Sequence, residues 1–139
     1  FVDCFLENNY TREEMKMVWE THKILDENIS VNPTAVRVPV LVGHAESIYI
    51  ETEKEIDIEL AKNCLNEFAG ISVIDDIQEI DFPTSFEHGH GTDDVYVGRI
   101  RKGLSKNNSL NLWVVADNVR KGAALNSIQI AENLVGSEM

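Results

Sequence analysis

The sequence is poor in basic residues, and it contains no long uninterrupted apolar run. Twelve lysine and arginine residues stand against 24 aspartate and glutamate residues, which gives a formal net charge of −12. Such a charge repels phosphate backbones and anionic lipid headgroups, so neither nucleic acid nor a membrane is an expected partner. No apolar segment approaches the roughly 20 residues that span a bilayer. The first residues also lack the basic and apolar regions of a signal peptide, which predicts a soluble chain.

Cysteine is scarce as well. Two cysteines cannot build a disulfide framework, which fits the reducing cytoplasm as the expected location. The four histidines lack nearby cysteine or aspartate partners in any zinc pattern. His88 and His90 flank one glycine in a segment rich in turn residues, and two histidines in a loop are too few for a metal site. No metal is therefore predicted.

The glycine pattern Gly-x-Gly-x-x-Gly is absent, which argues against a doubly wound nucleotide-binding fold. A chain of 139 residues that is 43% hydrophobic fits one domain with a real core. Apolar spacing predicts helices at residues 12–26, 57–68 and from Asn118 onward, and strands at residues 36–42, 47–52, 71–74, 94–101 and 110–116. This order of elements predicts an α+β domain in which a mixed β-sheet packs with helices.

An apolar run at residues 36–44 carries Arg37 near its start and His44 at its end. Its β-branched residues predict a strand in which Arg37 opposes the valine face. Gly43 can end or bulge that strand and re-aim His44, so that both side chains converge on one pocket. A turn at residues 43–46 would pair this strand with the next one. The alternative is that Arg37 forms a surface ion pair and that His44 is a turn residue.

The first predicted helix has a charged side. Thr11 and Glu14 match a capping box, which marks where the helix begins. Glu13 and Lys16 lie three residues apart on the charged side, at a spacing typical of surface ion pairs. On spacing alone, these two residues need have no other role.

Four segments together resemble the C-terminal domain of aspartate-semialdehyde dehydrogenase. They are residues 10–17, residues 35–44, the Val-Gly-Arg-Ile-Arg sequence at 97–101, and residues 110–124. Their order and spacing agree with the family over essentially the whole chain. The resemblance implies a fold like the C-terminal domains of aspartate-semialdehyde and glyceraldehyde-3-phosphate dehydrogenases. It also implies that residues 1–139 are the C-terminal catalytic and dimerisation domain of a longer enzyme, without its N-terminal dinucleotide-binding domain.

The same resemblance implies a reaction and its cofactor. The reaction is the reversible, NADP-dependent conversion of L-aspartate 4-semialdehyde and phosphate into L-4-aspartyl phosphate, in the biosynthesis of lysine, threonine and methionine. NADP would be bound mainly by the N-terminal domain. The expected partners are this small-molecule substrate and further copies of the chain, in a homodimer or a tetramer.

Five residues acquire roles through the resemblance. Arg37 would bind the substrate carboxylate with its planar guanidinium group, and Glu13 would bind the ammonium group. Lys16 would bind phosphate, and Asn118 would contact the nicotinamide end of the cofactor. His44 would act as the catalytic acid and base, because imidazole gains and loses protons near neutrality.

The nucleophilic cysteine of the family has no counterpart in the sequence. It follows an asparagine there and precedes serine or threonine, whereas Asn63 and Cys64 are followed here by Leu65. Cys64 falls near the apolar stripe of its helix, which predicts a small core residue. We therefore expect the chain alone to be inactive.

Two alternatives remain open. The N-acetyl-glutamyl-phosphate reductase has the same architecture, but its acylated substrate amine would not need Glu13. The other alternative is a noncatalytic module whose mixed sheet only dimerises. For dimerisation, we expect the exposed surface to come from residues 110–116, which are apolar on both faces of the predicted strand.

Overall fold

The computed structural model describes residues 3–136 and divides the chain into two units, Phe1–Pro39 and Val40–Met139, which are treated separately below. Within the described residues there are four strands and three α-helices. In chain order these elements are α1 (Arg12–Ile24), β1 (His44–Glu51), α2 (Ile58–Glu67), β2 (Ile71–Val73), β3 (Val95–Lys102), β4 (Ser109–Ala116) and α3 (Leu125–Gly136). The α+β class predicted from the sequence is confirmed, with one strand fewer than expected.

The N-terminal unit is built on α1, which begins where the sequence predicts. Thr11 is the N-cap, and its hydroxyl accepts a hydrogen bond from Glu14 N while the Glu14 carboxylate accepts one from Thr11 N. This capping box satisfies two backbone donors that the first turn of a helix leaves without partners. Farther along α1, His22 Nε2 lies 2.8 Å from Ile29 O, which joins the helix to the segment after it.

The C-terminal unit is a mixed sheet in the order β1-β4-β3-β2. β4 lies between β1 and β3 and is antiparallel to both, whereas β2 is parallel to β3. The strands predicted at residues 47–52, 71–74, 94–101 and 110–116 are all present, with ends shifted by a few residues. The largest shift is at the start of β1, which begins at His44 and not at residue 47.

The strand predicted at residues 36–42 is wrong, and so is the turn at residues 43–46. Residues 31–43 form neither helix nor strand, and His44 through Glu46 already belong to β1. Pro39 contributes to this outcome, because it has no N–H to donate to a neighbouring strand. The partner of β1 is therefore β4, which follows it by more than fifty residues, and not the segment that carries Arg37.

The core of the C-terminal unit lies on one face of the sheet. Leu110 and Leu112 of β4 pack with Val97 and Ile100 of β3. Partly buried apolar residues pack against this cluster, including Ile58 and Leu65 of α2. Lys62 Nζ of α2 forms an ion pair with Asp75 Oδ2, 2.8 Å away just beyond β2.

The opposite face of the sheet is covered in part by the loop between β2 and β3. Pro83 of this loop is fully buried, and its carbonyl accepts a 2.9 Å hydrogen bond from Trp113 Nε1 of β4. Val115 of β4 is 0% exposed. β4 is thus mostly buried, although Asn111 and Trp113 are only partly so, and the expectation that residues 110–116 supply the surface for dimerisation stays a prediction. On the neighbouring strand β1, Tyr49 is 51% exposed.

The final helix begins later than the sequence predicts. Residues Lys121 to Ala123 have non-helical backbone angles, and α3 starts at Leu125. Gly122 has φ +76°, a conformation that interrupts a helix. Of the helices in residues 3–136, none is both long and apolar enough to cross a membrane.

Candidate active site

The helix α1 carries two of the predicted substrate-binding residues, Glu13 and Lys16. Lys16 Nζ lies 3.4 Å from Glu13 Oε2, and both side chains are about half exposed. The capping box fixes the first turn of the helix, and thereby the direction in which Glu13 leaves it. An exposed pair of this kind contributes little to stability, so both groups remain available to a ligand.

Glu14 links α1 to the segment that carries Arg37. It is only 9% exposed, and its second carboxylate oxygen accepts a 2.9 Å hydrogen bond from Ala35 N. The hydrogen bonds from the backbone of Thr11 and then of Ala35 lower the pKa of Glu14. The sequence predicts only the capping role of Glu14. Its contact with Ala35 brings the chain two residues before Arg37 against the first turn of α1.

Arg37 is exposed, and among the described residues its guanidinium group has neither an ion-pair partner nor a hydrogen bond. The predicted surface ion pair is therefore wrong for the described part of the chain, as is the strand on which it was placed. A guanidinium group without a partner retains five donors in a planar arrangement. Arg37 can thus bind a carboxylate or phosphate without first breaking another contact.

His44 is the first residue of β1 and follows Gly43, whose φ of +91° turns the chain into the strand. Its partner across the ladder is Ala116, the last residue of β4. Its Nδ1 lies 3.3 Å from Glu46 Oε1, and both side chains are about half exposed. Residues two apart in a strand share a face, so alternation alone could have predicted that Glu46 lies beside His44.

Asn118 lies at the same end of the sheet as His44, because it follows Ala116 by two residues. Its side chain is exposed and makes no hydrogen bond within the described part of the chain. The turn before it is fixed by Asp117, which is 4% exposed and accepts hydrogen bonds from Gly91 N at 2.7 Å and Val119 N at 2.9 Å. The hydrogen bond from Gly91 N contributes most to lowering the pKa of Asp117, and the bond from Val119 N contributes next.

The loop with His88 and His90 lies against the residue that precedes His44. A side chain on Gly89 would place its Cβ 3.2 Å from Gly43 Cα, so the two glycines allow a close approach of their backbones. His88 has a structural environment, since its Nδ1 accepts from Thr84 N and its ring lies 5.0 Å from that of Tyr96. Among residues 3–136, no group of three metal-ligating side chains is found.

Cys64 is exposed on α2, so the prediction of a core residue is wrong. The helix packs Ile58 and Leu65 against the core of the sheet, and Cys64 lies just outside that stripe.

Comparison with known proteins gives a matching family and similar enzymes. Residues 1–121 match the family described as semialdehyde dehydrogenase, dimerisation domain. An aspartate-semialdehyde dehydrogenase of Shewanella violacea is 56% identical over 96% of this chain and 39% of its own length. One from Legionella pneumophila is 52% identical over 96% of the chain and 39% of its own length.

A solved structure of a similar enzyme has the same fold. The aspartate semialdehyde dehydrogenase II of Vibrio cholerae, crystallised in complex with ASA, has a TM-score of 0.93 and 51% sequence identity. It matches 100% of this chain and 41% of its own chain. The chain spans about two fifths of the length of the relatives it matches, and it belongs to the family of semialdehyde dehydrogenase dimerisation domains.

Proposed function

We propose that this chain is the substrate-binding and dimerisation part of an aspartate-semialdehyde dehydrogenase. The enzyme would interconvert L-4-aspartyl phosphate with L-aspartate 4-semialdehyde and phosphate, in the biosynthesis of lysine, threonine and methionine in the cytoplasm. The observation that carries the proposal is that His44 and Asn118 lie at the same end of the sheet. Residues 1–139 would be the C-terminal domain, and a separate N-terminal domain would supply the nucleophilic cysteine and most of the NADP site.

The charged residues of the N-terminal unit suit the two charged ends of an amino-acid substrate. Arg37 presents an unpaired guanidinium fork, which binds a carboxylate through two charge-assisted hydrogen bonds. Glu13 is placed on α1 to accept from the substrate ammonium group. Lys16, one turn along, would neutralise the phosphate that enters or leaves.

His44 would move the protons that the reaction requires. Imidazole serves as both acid and base near neutral pH, so it can take the proton of a thiol during attack on the aldehyde and return it later. The Glu46 carboxylate 3.3 Å from Nδ1 favours a ring orientation in which Nε2 is free. The exposed side of the ring is where a substrate would have to lie.

The residues present fit a nicotinamide cofactor at the end of β4. The Asn118 amide has both a donor and an acceptor without partners in the described chain, as the carboxamide of nicotinamide requires. The bound cofactor would supply the hydride acceptor. Asp117 would hold Asn118 in position through its bonds to the neighbouring backbone N–H groups.

Steady-state assays of the full-length protein that contains this chain test the proposal. We expect phosphate-dependent reduction of NADP with L-aspartate 4-semialdehyde, and no activity from residues 1–139 alone. Activity with N-acetyl-L-glutamate 5-semialdehyde in place of the aspartate compound would favour the acyl-phosphate reductase alternative. Dimers without activity toward either aldehyde would favour the noncatalytic module.

Replacement of Arg37 by lysine in the full-length enzyme is expected to lower kcat/KM by about one to two decades. Lysine keeps the charge but loses one of two hydrogen bonds to the substrate carboxylate, and a charge-assisted hydrogen bond contributes roughly 1.5–3 kcal/mol. Arg12 is an exposed arginine of α1 and provides a matched control, since Arg12→Lys should leave kcat/KM within about twofold. Equal kinetics for wild type and Arg37→Lys would remove Arg37 from the substrate site.

A further inference from the structure

The sheet face opposite the core carries a pair of arginines at an irregular point of β3. The ladder between β3 and β4 shifts register between Gly98 and Arg101, and Arg99 within the shift has φ +56°. A left-handed backbone conformation is uncommon for a residue other than glycine and persists only where its surroundings impose it. Bulges of this kind re-aim side chains, and this one directs Arg99 and Arg101 to the same open pocket of about 350 Å³.

Both guanidinium groups are held in place without a carboxylate. Arg99 Cζ lies 4.9 Å from the centre of the Phe82 ring, a cation–π contact that orients the guanidinium plane. Arg101 Nη1 donates a 2.6 Å hydrogen bond to Arg99 O. Neither arginine forms an ion pair within residues 3–136, although the chain has 24 acidic residues. Two positioned cations without counter-charges form a binding site for anions.

The pocket continues into an uncovered part of the sheet. Trp113 and Ser47 also line it, and Arg101 and Tyr49 lie on either side of Asn111 in the ladder, so they share its face. The loop that contains Phe82 and Pro83 forms one side of the pocket, and beyond it Arg101 and Tyr49 are exposed. β1 is the edge strand beside the open part, which gives a second chain a continuous surface to cover.

We propose that the Arg99 and Arg101 pocket receives carboxylate groups from a second copy of this chain, an inference that rests on the dimer in the proposed function. Two copies with a net charge of −12 each repel one another, and local contacts between cations and carboxylates offset that repulsion. The arginine pocket can make such contacts on an open face of a domain whose family is named for dimerisation. Each pocket is complete only when the other copy supplies its acidic groups.

Sedimentation of the full-length protein with Arg101→Glu tests the inference. We expect its dimer dissociation constant to rise at least about tenfold at low salt, because one cation of each pocket becomes a like charge to its partner. Arg101→Gln should give a smaller rise in the same direction, and about 0.5 M salt should narrow both differences from wild type. Lys54→Glu makes the same change of charge at an exposed lysine outside the pocket, and it should leave the constant within about twofold.

Three results would overturn the inference. The first is a folded Arg101→Glu variant, by circular dichroism, that dimerises as tightly as wild type. The second is an unchanged dimer combined with thermal stabilisation by inorganic phosphate or citrate that Arg101→Glu abolishes, since the pocket would then take a free anion. The third is a monomeric wild-type protein. This last result also removes the proposed dimer, whereas the other two leave it intact, so the two failures are distinguishable.

Discussion

In the full-length enzyme, His44→Ala is expected to lower kcat/KM by about 10²–10⁴-fold, the contribution typical of a positioned general acid or base. Alanine removes the imidazole at the start of β1 but leaves the strand intact, because the backbone of His44 and not its side chain pairs with Ala116. Thermal unfolding should change little, since the His44 side chain is about half exposed. Kinetics and melting of the same preparation measure both effects.

A second histidine provides the control for this experiment. His90 lies in the loop at the same end of the sheet, is exposed, and has Nδ1 3.9 Å from the Asp117 carboxylate. His90→Ala should leave kcat/KM within about tenfold, because it removes an exposed side chain without a proposed proton-transfer role. The reverse outcome, a large loss in His90→Ala and a small one in His44→Ala, would assign proton transfer to the loop.

The shape of the pH profile adds an independent test. If His44 is the acid and base, kcat/KM should depend less on pH in His44→Ala than in wild type, because the group that transfers the proton is gone. A merely structural role would lower the rate at every pH and leave the shape unchanged. The pH profile of Glu46→Gln shows whether the carboxylate 3.3 Å from His44 Nδ1 affects proton transfer by His44.

Local signals in the sequence predicted most of the secondary structure correctly. The capping box at Thr11 placed the start of α1, and Asp57 caps α2 in the same manner through hydrogen bonds to Glu59 N and Leu60 N. Such signals are reliable because they concern residues three or four apart, whose contacts form whenever the helix forms. Each depends on little outside its own segment.

The errors arose where the outcome depends on distant residues. Residues 36–42 have strand-forming composition, but a strand needs a partner, and the partner of β1 is β4. The tendency to form strands depends strongly on such context. The left-handed residue Arg99 likewise has no signature that distinguishes it from neighbours of similar type, whereas Gly122 could have marked the break at Lys121 to Ala123. The site residues were therefore obtained through the resemblance, and the position of His44 and Asn118 at the same end of the sheet became evident only from the register.

Gly98 lies where the covering loop packs closely against the sheet. It lies in β3 opposite Trp113, and a Cβ there would overlap Ile74 O and lie 2.6 Å from Pro83 Cδ. Neither neighbour is free to withdraw. Ile74 N donates a 2.9 Å hydrogen bond to Val97 O, and Pro83 O accepts one from the Trp113 indole. An added methyl group must therefore separate the loop from the sheet.

Gly98→Ala is accordingly expected to lower the free energy of unfolding by about 3 kcal/mol or more, at or above the upper end of the range for overpacked sites. The midpoint of thermal unfolding should fall by roughly 10 °C. Gly136→Ala is the matched control, because no atom lies within 4 Å of the Cβ position in α3 and alanine favours a helix. Circular dichroism melts of the two variants beside wild type measure the difference. If Gly98→Ala and Gly136→Ala unfold at the same temperature, the loop between β2 and β3 is not packed against the sheet at Gly98.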